Sequence, residues 1–244
     1  DVVLLCVGEA AIMSGEAASR ARPELPGRQR NLAEAVLDLG VPVVALLTSG
    51  RPLMLPWLFE RAAAVAATWF LGHEAGHAVA DVLTGAVNPS GRLPVTWPRD
   101  VGQVPIYFGE RNTGRPTDPD QHYTSKYIDI PTSPQFPFGH GLSYSRFALG
   151  DLRLSASMLR PGETLTVEVT VTNTGAVPGE ETVLLFIHDP VASVARPLLE
   201  LKGMAKAALA PGQKQVLSLA LAADALAFPG LDLKPVLEAG EIEI

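Results

Sequence analysis

Val41-Pro42-Val43-Val44-Ala45-Leu46-Leu47-Thr48 is a continuous apolar run closed by Ser49-Gly50. No polar residue alternates within it, so a strand formed here expects cover on both faces, the pattern of a parallel sheet. A second run of this kind lies upstream at Val2–Val7 and a third downstream at Ala63–Trp69. Between the first two, Arg28–Leu39 spaces Leu32, Val36 and Leu39 on one helical face, with Gly40 as its stop. Leu53–Ala62 is helix-like, and a further helix runs from about His73 to Leu83 and closes at Gly85. Apolar strands alternating with helices make βαβ units, so residues 1–97 read as an α/β domain with a mostly parallel sheet. In such sheets chemistry sits beyond the carboxyl ends of the strands, which makes the loop after Val7 a candidate site.

Downstream the pattern changes twice. Residues 98–146 are dense in Pro and Gly, as in Asn112-Thr-Gly-Arg-Pro116 and Ile130-Pro-Thr-Ser-Pro134, and read as an irregular covering segment and linker. Residues 147–244 offer six short strands: Leu152–Ser155, Thr164–Asn173, Thr182–Asp189, Leu198–Leu209, Gln213–Leu221 and Leu233–Ile244. Turn signals such as Arg160-Pro-Gly and Ala210-Pro-Gly separate them, and Leu165, Val167, Val169 and Val171 alternate with Thr and Glu. Such strands predict a β-sandwich of the fibronectin type III kind, which by itself implies no activity.

Composition narrows the classes. With 244 residues, each part is large enough to bury its own core. The net charge of −7 argues against nucleic acid, whose binders carry basic patches. No apolar run approaches the ~20 residues of a membrane-spanning helix. The single cysteine, Cys6, sits in the first apolar run and reads as a small buried hydrophobe. The chain opens on Asp1 directly before a strand and ends on the alternating Glu241-Ile-Glu-Ile244, so it reads as a fragment truncated at both ends.

His73-Glu74-Ala75-Gly76-His77 matches H-E-x-x-H, in which two imidazoles on one helical face hold zinc and the Glu acts as general base. A zinc metallopeptidase is therefore one reading. It needs a third ligand, and the three remaining histidines, His122, His140 and His188, lie in the irregular segment and the sandwich. The structural reading is preferred, and no metal is assigned.

The wider string favours a different reading. Trp69-Phe-Leu-Gly-His-Glu-Ala-Gly-His-Ala-Val-Ala-Asp-Val-Leu-Thr-Gly85, continued by Asn88-Pro-Ser-Gly-Arg-Leu-Pro94, resembles the signature of family 3 glycoside hydrolases. Gly50-Arg-Pro52 follows in kind. Asn112–Pro116 and Tyr123-Thr-Ser-Lys-Tyr127 are similar to the bacterial periplasmic β-glucosidase branch. Phe136-Pro-Phe-Gly-His-Gly-Leu-Ser-Tyr144 looks like the segment that leads into that family's fibronectin-like module.

The resemblance implies a retaining, exo-acting β-glucosidase that needs no cofactor and hydrolyses terminal β-D-glucosyl residues of glucosides or oligosaccharides. It implies a nucleophilic Asp in an N-terminal barrel outside these residues, and an acid/base Glu on the loop after an early strand of the α/β sandwich. Ser14-Gly-Glu-Ala-Ala-Ser-Arg20 is similar to that loop, which assigns acid/base to Glu16; Glu9, which directly follows the strand, is the second choice. Where many relatives carry Tyr-Asp or Gly-Asp before the Arg, this chain has Ala17-Ala18-Ser19; Arg20 reads as a partner of the loop. Location is expected to be periplasmic or secreted, and no substrate-binding residue is assigned. A non-catalytic binding module is the remaining alternative.

Overall fold

The computed structural model describes residues 1–244 and divides into two compact units. The first comprises residues 1–87, 95–106 and 131–138. Its strands β1 (Val3–Gly8), β2 (Val43–Thr48) and β3 (Ala64–Ala67) form a parallel sheet in that order. The register pairs Val3 with Val43 and Gly8 with Thr48, so the carboxyl ends of β1 and β2 finish side by side. Helices α1 (Gln29–Leu37), α2 (Pro56–Arg61) and α3 (Ala75–Thr84) alternate with the strands. Pro56 opens α2, where its missing N–H costs nothing.

The core of this unit gathers Leu5, Val7, Ala33, Val43, Ala45, Leu47, Leu53, Leu55 and Leu58. Trp97 seals it: the indole donates Nε1–H to Leu53 O at 2.8 Å and meets Phe59 edge-on. Two expectations are corrected. Side chains alternate across a strand; Leu5 and Val7 take the covered face of β1, which leaves Leu4 and Cys6 exposed on the other. Helix α1 buries Ala33, not the exposed Leu32, and ends at Leu37, before the exposed Leu39. Gln29 fixes that rotation by exchanging two hydrogen bonds with the backbone of Gly8, at 2.7 and 2.9 Å.

The second unit comprises residues 88–94, 107–130 and 139–244. Strands β4 (Phe147–Leu154), β5 (Thr164–Asn173) and β8 (Lys214–Ala222) form one antiparallel sheet, and β6 (Gly179–Ile187) pairs with β7 (Glu200–Leu209) in another. The alternating residues of β5 face inward as expected. Leu165 and Val167 meet Leu185, Ile187, Leu219 and Leu221, while Val169 and Val171 meet Val183, Ala207, Leu209 and Leu217. The expected sixth strand is broken. Pro229, Gly230 and Pro235 reduce the region to a short pairing of β9 (Phe228–Pro229) with β10 (Pro235–Val236), and the end of the chain adds one bridge from Glu243 to His188.

Two buried polar side chains of this unit, Asn173 and Arg196, are well paired. Asn173 is fully buried; its Oδ1 accepts from Ser145 Oγ and Gly175 N, and its Nδ2 donates to Val177 O and Leu209 O. Arg196 reaches Asp189 and Glu200 and lies over the Phe228 ring. No helix is long and apolar enough to cross a membrane.

Candidate active site

Strand β1 ends at Gly8, whose φ of +147° is a glycine conformation; a Cβ there would stand 1.8 Å from Thr48 O on the neighbouring strand. The chain then leaves the sheet at Glu9 and makes a 3₁₀ turn over Ala11–Met13. A second turn follows, closed by Ala18 N donating to Gly15 O at 3.3 Å. Glu16 and Ala17 form the tip of that turn. Ala17 has φ of +57°, a value at which β-turns favour Gly or Asn.

The two carboxylates suggested by sequence occupy opposite environments. Glu16 is exposed at the tip. The Glu9 side chain is fully buried and held on both oxygens: Arg20 Nη1 donates to Oε1 at 2.7 Å, and Arg51 Nε reaches Oε2 at 3.2 Å. Ser49 Oγ lies 3.0 Å from Oε2 and accepts from Arg51 N. Burial raises the pKa of Glu9, but the hydrogen bonds from Arg20 and Ser49 and the two guanidinium charges outweigh it, so the carboxyl sits below its ordinary range. Such a group stays ionised and is a poor proton donor. Arg20 also donates to Glu24 O at 2.8 Å, which matches its reading as a partner of the loop.

Sequence reasoning did not single out Ser49 or assign a role to Arg51. The available signal was topological: both follow β2, whose parallel pairing with β1 brings their carboxyl ends together.

The H-E-x-x-H string does not form the zinc-binding helical face of the alternative reading. Helix α3 begins at Ala75, with Glu74 at its N-cap position, so His73 precedes the helix and shares no helical face with His77. His77 Nδ1 instead pairs with Glu74 Oε2 at 2.7 Å on the surface. No three His, Cys, Asp or Glu side chains converge in metal-ligating geometry.

Residues 1–144 match the Glycosyl hydrolase family 3 C-terminal domain, and residues 181–244 match the Fibronectin type III-like domain. The second description agrees with the β-sandwich strands of the second unit. The chain belongs to glycosyl hydrolase family 3. It is 42% identical to the periplasmic β-glucosidase of Salmonella typhimurium over 246 residues, covering 100% of this chain and 32% of that protein. It is 41% identical to a β-xylosidase of Formosa agariphila, again covering 100% of this chain and 33% of the relative. Among solved structures, β-glucosidase from Listeria innocua in complex with glucose aligns with a TM-score of 0.94 and 42% identity, over 99% of this chain and 34% of that one. The chain thus spans about a third of the length of these relatives.

Proposed function

We propose that these residues are the C-terminal part of a retaining, exo-acting β-glucosidase, and that Glu16 is its general acid/base. The observation that carries the assignment is the contrast between the two carboxylates of one loop. Glu9 is buried between two guanidinium groups that keep it ionised, whereas Glu16 is presented to solvent at the tip of a turn beyond β1. A general acid must hold a proton near neutral pH and reach the leaving oxygen. Glu9 is held ionised and enclosed, whereas Glu16 stands free to reach a leaving group.

In this reading the nucleophilic carboxylate belongs to a barrel domain of the same protein outside residues 1–244. Retaining hydrolysis places the two carboxyl groups ~5–5.5 Å apart, on either side of the scissile bond. Glu16 protonates the departing oxygen while the nucleophile attacks the anomeric carbon. Once the aglycone has left, the Glu16 carboxylate takes a proton from water as that water hydrolyses the glycosyl-enzyme. Carboxylate chemistry of this kind uses no metal or organic cofactor. The substrate is a terminal β-D-glucoside or oligosaccharide; the 41% identity to a β-xylosidase makes terminal β-xylosides the second substrate class to assay. The Salmonella typhimurium relative, named as periplasmic, supports a periplasmic or secreted location.

The test is azide rescue in the full-length protein. Glu16→Ala should accumulate glycosyl-enzyme with an activated aryl glucoside, and added azide should restore turnover and yield β-glucosyl azide. No rescue in Glu16→Ala, with rescue in Glu9→Ala, would move the role to Glu9.

A further inference from the structure

The guanidinium of Arg51 bonds in two directions. Nε reaches Glu9 Oε2. Nη2 donates to Met13 O and to Ala18 O, the latter at 2.8 Å. Met13 ends the 3₁₀ turn, and Ala18 closes the turn whose tip is Glu16 and Ala17. One side chain anchored on β2 therefore grips the loop immediately before and immediately after the segment that presents Glu16.

Two further contacts support this grip. A Cβ on Gly50 would stand 1.9 Å from Ser14 Oγ and 2.7 Å from Ser14 Cβ, so the loop packs down on bare backbone beside Arg51. Glu9, itself bonded by Arg20 and Ser49, fixes the plane of the Arg51 guanidinium. That planar fork is what lets one residue serve a carboxylate and two carbonyls together; an ammonium lacks the geometry.

We propose that Arg51 is the positioning residue for the acid/base carboxylate, with buried Glu9 as the anchor that aims it. The proposal rests on the assignment of acid/base to Glu16. Glu9, the rival carboxylate, then serves the reaction through Arg51 without touching the substrate. Positioning is worth this machinery because displacing a catalytic group by ~1 Å costs ~10²-fold in rate.

The experiment measures kcat/KM for the full-length protein on aryl β-glucosides, from a dinitrophenyl leaving group, which departs without a proton, to unsubstituted phenol, which requires one. Thermal melting confirms that each variant is folded. Arg51→Lys keeps a positive charge beside Glu9 but loses the two-carbonyl grip, and Gly50→Ala displaces Ser14 with no change of charge. Both should lose at least ~10-fold more activity on the phenyl than on the dinitrophenyl substrate, within the ~10²–10⁴-fold range of full general-acid loss. Glu16→Ala sets the maximum of that skew. If Glu16→Ala is skewed while both Arg51→Lys and Gly50→Ala lose activity equally on all substrates, the two act on the folded fraction alone; the positioning role is then overturned while the Glu16 assignment stands. If Glu16→Ala shows no skew, the assignment itself fails and this proposal fails with it.

Discussion

Arg51 Nε stands 3.2 Å from Glu9 Oε2, and the pair ties the carboxyl end of β2 to that of β1. Both ends of that tie are informative. The buried Glu9 carboxylate holds the sheet edge, and the guanidinium holds the loop that carries Glu16.

The first consequence concerns acid stability. The pKa of Glu9 is depressed in the folded state, so its pairing contributes fully above the unfolded value of about 4.3 and is lost as pH falls through the lower folded value. Glu9→Gln removes the charge and leaves two guanidinium groups facing an amide. Because Arg20 and Arg51 are partly solvated, the loss at pH 7 should be about 1–3 kcal/mol, less than for a fully buried pair. Chemical denaturation at several pH values checks this: the wild type should lose stability below about pH 4.3 more steeply than Glu9→Gln. Parallel curves would show that Glu9 carries no depressed pKa.

Backbone strain at the tip predicts a second effect. Ala17 sits at φ of +57°, tolerable for Ala and severe for a β-branched residue. Ala17→Val should shift the turn and lower kcat/KM on poor-leaving-group substrates, while overall stability falls by only about 1–2 kcal/mol. Paired kinetics and melting on the full-length protein would show this; unchanged kinetics would mean that the turn relaxes freely.

In the β-sandwich, Asn173 is fully buried with its carbonyl and amide both bonded. Asn173→Ala strands Ser145 Oγ and two backbone carbonyls, for a loss of about 2–4 kcal/mol. Calorimetry on residues 1–244 should record the lowered transition.

Residues 1–244 alone should not turn over aryl β-glucosides above background, since an acid without its nucleophile supplies no covalent step. Turnover by the pure chain that is abolished in Glu16→Gln would contradict a nucleophile lying elsewhere.

The fold was legible where burial writes itself into pattern. Val43–Thr48 is apolar without interruption because β2 is the central strand of the sheet, and β5 alternates because one face meets the sandwich core. Legibility failed where tertiary context decides. Cys6 and Leu4 carry the same apolar signal as Leu5 and Val7, yet they occupy the other face of a strand at the sheet edge. Periodicity did not reveal the rotation of α1, which a side-chain bond from Gln29 to Gly8 sets. His73 reads as helical from its motif, but Gly72, at φ of +76°, turns the chain there and α3 begins only at Ala75. At the site, sequence resemblance supplied Glu16 and position after the strand supplied Glu9, but neither revealed their environments. That of Glu9 depends on Ser49 and Arg51, distant in sequence and adjacent only through parallel pairing of β1 with β2.

The pH dependence of kcat/KM in the full-length protein tests the central claim most directly. A general acid gives the profile its alkaline limb, because its proton must be present in the free enzyme. With phenyl β-glucoside, the wild type and Glu9→Gln should both show that limb, with Glu9→Gln lower throughout. Glu16→Ala should lack it and run flat on the alkaline side. An alkaline limb that persists in Glu16→Ala and disappears in Glu9→Gln would contradict the account, since the proton would then come from the carboxyl that two arginines keep ionised.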